Sequence, residues 1–485
     1  MTESRRSEVH PDRSRLASDP YRPAYHYLPP MNWMNDPNGT IFWKGRYHVF
    51  YQYNPDGAYW GNIHWGHASS SDLVHWTDHP IALAPTPDGP DRAHCFSGAA
   101  FVNKESVPTA IYHGVPDGIC LAMSRDDMLI NWDKHPANPI IPNPGPGDEY
   151  RIAGAPCGWV EGDTYYAVTG NNKTCPPDPD MAYLFQSKDL ANWEYMHPFC
   201  KGGRFTGWGE DCGCPDFFPL GNKHVLFFTS HPRGTQCYLG TYSNHRFIPE
   251  QHKRLAFAEG RPRYGVPNEG LTLLDDRGRR ILFQRIHEGR HDYIQRASGW
   301  AGIMALPVLL SLSDEGDLLL EPVPELQALR THHQHVSDVD LMADSTVSLD
   351  EVQGDSLEIK AAFEWESVEE FGLAVRCSPE GEEQTLVRFR PRYGELILDV
   401  TRSSASPEVC NRESQRCTLN LPDGKLLELR VFVDHSVVEV FANSLHYLAK
   451  RIYPARPDSL GVQAFSWGGD AKLRSLDAWQ MGSIW

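Results

Sequence analysis

Long apolar runs are missing from this chain. No stretch approaches the ~18 uninterrupted apolar residues of a membrane-crossing helix, so a helical membrane protein is excluded. The opening fifteen residues, MTESRRSEVHPDRSR, lack the apolar core of a secretory signal. A cytoplasmic location is the expectation, with residues 1–24 as a disordered leader. Positive charge is also short: 45 Lys and Arg stand against 63 Asp and Glu, a net charge of −18. Such a surface repels phosphate backbones, so no nucleic-acid partner is expected, whereas a neutral small molecule is not disfavoured. A disulfide framework is lacking too, because the 11 cysteines are odd in number and scattered from Cys95 to Cys417, which fits reduced thiols. Cys212 and Cys214 have no second Cys/His pair nearby. His64 and His67 lie in a Trp- and Gly-rich stretch without a Glu, and read as structural or ligand-lining. Neither a metal nor a cofactor is expected.

Helical periodicity is scarce, and short Tyr/Phe/Val/Ile runs broken by Gly, Asn, Asp and Pro take its place, the composition of an all-β protein. One hairpin-like pattern recurs five times: TIFWKGRYHVFYQ, GAAFVNKESVPTAIYH, GWVEGDTYYAVTG, FFPLGNKHVLFFTS and LTLLDDRGRRILFQ. Its turns start near Lys44, Asn103, Glu161, Gly221 and Asp275, in steps of 59, 58, 60 and 54 residues. A second element, SDLVHWTDHP, SRDDMLINWDKHP and SKDLANWEYMHP, puts Trp76, Trp132 and Trp193 at steps of 56 and 61. Two features with one period predict a five-bladed β-propeller over 25–310, each blade about four short strands. A linker is expected at 311–335. The shorter alternating strands of 336–485 predict a C-terminal β-sandwich, whose edge strands leave a homo-oligomer possible.

In a propeller the innermost strand of each blade lines the axis, and residues entering those strands converge at one mouth. Counting back from the hairpin turns gives Asp36, Ser97, Ala155, Asp216 and Asn268, with Trp33, Asn35, Arg151, Trp208, Glu210 and Asp211 around them. Carboxylates, amides and indoles ringing a cavity suit a sugar, and the 14 Trp and 20 Tyr point the same way. Glycoside hydrolysis needs two carboxyl groups, one protonated and one ionised. Asp36 is the candidate on the first blade; Glu210, Asp211 and Asp216 compete on the fourth. Shielding by Trp208 and the Cys-rich segment would raise the pKa of Glu210 and keep it an acid. Asp-Pro-Asn-Gly at 36–39 is equally a turn sequence, so the residues alone leave both readings open.

At these residues the chain resembles glycoside hydrolase family 32, the invertases, inulinases and levanases. Asn32-Trp33-Met34-Asn35-Asp36-Pro37-Asn38-Gly39 looks like its WMNDPNG signature. Further matches follow in order: Tyr51-Gln52-Tyr53-Asn54-Pro55, Trp60-Gly61-Asn62, Phe96-Ser97-Gly98, Cys214-Pro215-Asp216, Ala305-Leu306-Pro307 and Phe432-Val433-Asp434. The resemblance implies a five-bladed propeller followed by a sandwich, with no metal. It makes Asp36 the nucleophile that forms a covalent fructosyl intermediate, and Asn35, Gln52, Trp60, Phe96 and Ser97 the lining of the fructose subsite. The family's acid/base, the Glu before Cys-Pro-Asp, falls on Gly213; a three-residue insertion that keeps the Glu points to Glu210, with Asp211 as the fallback. The family's Arg-Asp-Pro motif falls on Gly154 and Ala155, so the carboxylate that holds two fructose hydroxyls is absent. Charge-assisted bonds of this kind contribute about 1.5–3 kcal/mol each, and a weakened or inactive enzyme follows as an expectation. The implied activity is retaining release of terminal β-D-fructosyl units from sucrose or small fructans. A non-catalytic fructan-binding protein and a fructosyltransferase are the alternatives.

Overall fold

Each repeat folds as an antiparallel four-stranded sheet because an apolar run, a tight turn and a second apolar run make a hairpin, and the Trp element makes the return. The first hairpin joins Asn32–Trp43 to Arg46–Asn54 through Lys44 and Gly45, whose φ values of 48° and 78° are those of a two-residue turn that matches strand twist. The computed structural model describes residues 13–171, 181–200, 203–207, 210–255, 267–409, 412–422 and 424–485. Among these the Trp elements share one corner. Asp72, Asp126 and Asp189 each accept backbone N–H groups two to five residues on, and Leu73, Leu129 and Leu190 follow at φ between 55° and 67°. Trp132 and Trp193 close their corners by donating to the carbonyls of Leu129 and Leu190.

Five sheets result, with innermost strands Asn32–Trp43, His94–Val102, Cys157–Glu161, Gly213–Leu220 and Pro267–Leu274. These strands touch one another in a closed ring around an axis, giving the five-bladed propeller. The ring is locked by Trp300–Ala301, which pairs in parallel with Asn32 and Trp33 at the start of the first blade. Two six-stranded sheets then form the sandwich around a separate apolar core that includes Leu357, Phe371, Val431 and Val440. Among the described residues no helix is long and apolar enough to cross a membrane.

Two expected boundaries move. The stretch read as a linker from 311 holds the fifth blade's outer strands, Val308–Leu312 and Leu318–Pro322, which pair with each other and back onto Arg280–Ile286. The sandwich opens earlier, with Arg330–Leu341. The leader is not disordered from residue 13 on. Arg13 donates to both carboxylate oxygens of Asp78 and lies 3.4 Å over the Trp485 ring, while Asp19 accepts from the Trp300 indole.

A buried triad joins the domains. His26 bonds Asp434 through Nδ1 at 2.7 Å and Glu439 through Nε2 at 3.0 Å, and Asp434 also accepts the backbone N–H groups of Ala24, Tyr25 and His26. Burial pushes the imidazole pKa down, but the hydrogen bonds to Asp434 and Glu439 outweigh it and hold the ring at about 9. Because that value lies above the ordinary 6.5, the contribution to stability is complete below about 6.5 and is lost as pH rises through about 9. The urea midpoint is therefore expected to fall between pH 7 and pH 10. In His26→Ala two buried carboxylates lose their cation, a cost of about 3–5 kcal/mol at neutral pH, read from the same titration.

Candidate active site

Four of the five innermost strands break register near their starts: between Met34 and Pro37, Cys95 and Gly98, Gly213 and Asp216, and Asn268 and Gly270. A bulge leaves residues unpaired and re-aims their side chains. The residues freed are Asn35 and Asp36, Phe96 and Ser97, Cys214 and Pro215, and Glu269. In the third blade the strand starts at Cys157, and Ala155 lies just before it.

Asp36 is buried, 7% exposed, and accepts hydrogen bonds at both oxygens. Ser97 Oγ donates to Oδ2 at 2.6 Å and Gln52 Nε2 at 3.1 Å; Asn35 Nδ2 donates to Oδ1 at 3.0 Å, and Arg285 Nε stands 3.1 Å from Oδ1. The same Asn35 amide reaches Gln52 Oε1 at 2.8 Å, and the Trp33 indole fixes Asn35 from behind. The expected subsite residues Asn35, Gln52 and Ser97 thus surround Asp36 directly. Trp60 and Phe96 form an aromatic wall with His94: Trp60, 53% exposed, lies 5.3 Å from the His94 ring and 6.1 Å from Phe96. His67 lies in the first blade's core, stacked on Phe50.

Ala155 is buried beside the fourth blade, its N–H directed at Cys214 Sγ 3.4 Å away. Gly154 is needed there. Its φ of 74° is left-handed, and a Cβ would stand 2.7 Å from the same sulfur. Burial, then the nearby charges of Asp36 and Glu269, push the Cys214 thiol pKa well up. Arg151, expected around the mouth, donates to the carbonyls of Asp148 and Tyr150 in its own loop.

The fourth blade departs from expectation. Glu210 is not an acid with a raised pKa. Although burial alone would raise it, the bidentate Arg254 guanidinium at 2.8 and 3.0 Å, the Gly207 N–H and the Gln236 amide hold it down at about 2. The shielding argument failed because these partners outweigh desolvation; Trp208 lies outside the described residues. Asp211 is buried and bonded through both oxygens to the backbone and ring of His231, at 2.7 and 2.5 Å. At Gly213, a Cβ would meet His231 Cε1 at 3.0 Å, so the imidazole fills the space of a side chain there. Asp216 sits deeper than spacing suggested. It accepts from the Thr272 N–H and hydroxyl and borders a cavity of about 560 Å³ with Arg280, and burial raises its pKa.

Spacing missed Glu269 by one residue, landing on Asn268. Glu269 is 7% exposed with φ of 33° and bonds Arg285 Nε through Oε2 at 2.5 Å.

Residues 26–322 match the model of the glycosyl hydrolases family 32 N-terminal domain, and residues 325–480 that of the family's C-terminal domain. The sucrose-6-phosphate hydrolase of Zymomonas mobilis is 32% identical over 505 residues, covering 96% of this chain and 93% of that one. The acid beta-fructofuranosidase of Vigna radiata is 30% identical, covering 98% and 82%. Among solved structures, fructan 1-exohydrolase IIa of Cichorium intybus in complex with 1-kestose superposes with a TM-score of 0.87 at 26% identity, covering 96% and 98%. With both domains matched end to end and the bulged Asp36 ringed by amide, hydroxyl and guanidinium groups, the chain belongs to glycosyl hydrolases family 32.

Proposed function

We propose that this protein is a retaining β-fructofuranosidase that removes terminal fructosyl units from sucrose or small fructans. The observation that carries the reading is the Asp36 carboxylate, aimed into the mouth by a bulge and held by three hydrogen-bond donors and the Arg285 ion pair beside an aromatic wall. Asp36 attacks the anomeric carbon of the fructosyl ring, and the aglycone oxygen leaves with a proton. Water then enters at the same carbon and releases Asp36, so configuration is retained. The substrate class is supported by relatives named as sucrose-6-phosphate hydrolases and beta-fructofuranosidases and by neighbours solved with 1-kestose and with sucrose. The nine cysteines among the described residues are free thiols, seven of them buried, which supports a reducing, cytoplasmic setting.

The test is incubation with sucrose and with 1-kestose, followed by detection of free fructose. Release supports the hydrolase. New oligosaccharides without free fructose identify a transferase. Calorimetric binding without turnover identifies a sugar-binding protein, the reading that the missing carboxylate at Ala155 favours. In an active enzyme, Trp60→Ala is expected to raise KM about tenfold with a smaller change in kcat. The exposed indole offers its face to the bound sugar in ground and transition states alike, and tenfold corresponds to ~1.4 kcal/mol. Michaelis–Menten measurement on sucrose checks it; an unchanged KM removes Trp60 from the subsite.

A further inference from the structure

We propose that Glu269, on the fifth blade, is the residue that gives the proton to the leaving oxygen and later takes it from water; the proposal rests on the fructosidase reading above. Three independent observations lead there. First, Glu269 is the unpaired residue of the fifth blade's bulge, as Asp36 is one of the two unpaired residues of the first blade's bulge, both near the starts of their innermost strands. Its φ of 33° is left-handed and strained for a glutamate, and strain of this kind gathers where a side chain must be aimed. Second, one nitrogen ties the two carboxylates together. Arg285 Nε lies 3.1 Å from Asp36 Oδ1 and 2.5 Å from Glu269 Oε2, so these oxygens are separated by at most the sum, 5.6 Å. A retaining pair stands about 5–5.5 Å apart. Third, the fourth blade's three candidate carboxylates are engaged elsewhere: Glu210 with Arg254 and Gln236, Asp211 with His231, and Asp216 with Thr272.

The division of labour follows from the donors. Asp36 accepts hydrogen bonds from three side chains, Ser97, Gln52 and Asn35, and is ion-paired with Arg285, which fits the carboxylate that must remain ionised to attack. Glu269, among the described residues, accepts from Arg285 alone. Two carboxylates meet a single guanidinium, and the role of proton carrier falls to Glu269, the one with fewer donors. In the first step Asp36 Oδ forms a bond to the anomeric carbon, the bond from that carbon to the leaving oxygen breaks, and the Glu269 proton passes to that oxygen. In the second, Glu269 removes a proton from water, the water oxygen bonds the anomeric carbon, and the Asp36 ester bond breaks. Both residues return to their starting states.

The test compares Glu269→Gln, Glu210→Gln and wild type on sucrose and on a nitrophenyl β-D-fructofuranoside, whose leaving group needs no proton. Expected for Glu269→Gln is a fall in kcat/KM on sucrose of about 10²–10⁴-fold, a much smaller fall on the nitrophenyl substrate, and loss of the alkaline limb of the pH profile. Glu269→Ala with added azide should form fructosyl azide of retained configuration, a signature that a purely structural role does not give. Equal falls on both substrates with an unchanged pH profile, or the leaving-group pattern in Glu210→Gln, overturn the assignment while leaving the fructosidase reading in place. Wild type that releases fructose from neither substrate overturns that reading and this role together.

Discussion

Asp36→Ala is expected to lower fructose release by about 10⁴–10⁶-fold, the range seen when a covalent nucleophile is removed from a site whose parts act as a unit. The reason lies in the order of events: without the carboxylate there is no intermediate, and water held in its place lacks both the charge and the geometry. The fold is expected to survive. Arg285 keeps Glu269 as an ionic partner, so no buried cation is orphaned, and Ser97, Gln52 and Asn35 still bond one another around the gap. Sucrose binding by calorimetry and a urea midpoint near that of wild type check this half, and fructose assay the other. Turnover retained at a tenth of wild type or more removes Asp36 from the mechanism.

Arg285→Met is expected to damage both activity and stability. The guanidinium is the cation between two buried carboxylates; burial works against its charge, but Glu269 and then Asp36 outweigh it and hold its pKa up. Removing one partner of such a cluster costs about 3–5 kcal/mol. In activity, Asp36 loses the cation that favours its ionised form and competes with Glu269 for the proton the pair carries, so it spends less time as a nucleophile; a loss of about 10²–10³-fold is expected, partly recovered at higher pH. Arg285→Lys keeps the charge but has no flat edge with which to serve both carboxylates, and should fall between the two. Thermal unfolding and a pH–rate profile separate the effects. A variant with wild-type stability places the ion pairs among those that solvent already screens.

The propeller was legible in the sequence because each blade repeats a local device. The hairpins and the Asp-anchored corners at Asp72, Asp126 and Asp189 are built from residues within five positions of one another, so the period survives in the letters. The domain boundary was not, since Val308–Leu312 returns to Arg280–Ile286 across an intervening helix, and nothing local announces the pairing. The site divides along the same line. Asp36, Asn35, Gln52 and Ser97 are placed by short motifs at strand starts. Glu269 was passed over because spacing assumes regular alternation, and the extra residue between Asn268 and Gly270 changes which side chain faces the mouth. The raised pKa expected of Glu210 failed because the groups that fix its charge, Gln236 and Arg254, are 26 and 44 residues away on neighbouring strands.

The triad that ties His26 to Asp434 and Glu439 bears on how this architecture can be taken apart. His26 lies six residues before the strand that carries Asp36, and the backbone on its N-terminal side is also bonded to Asp434. The sandwich is therefore the anchor post for the first strand of the propeller, not a detachable appendage. A propeller cut free after Pro322 would carry a loose lead-in to its own nucleophile, and a chimera that borrows a sandwich from a relative must bring an acidic pair that receives this histidine. The modular unit is then the whole two-domain body, with this buried imidazole one tie among several, the Glu288–Arg451 ion pair another.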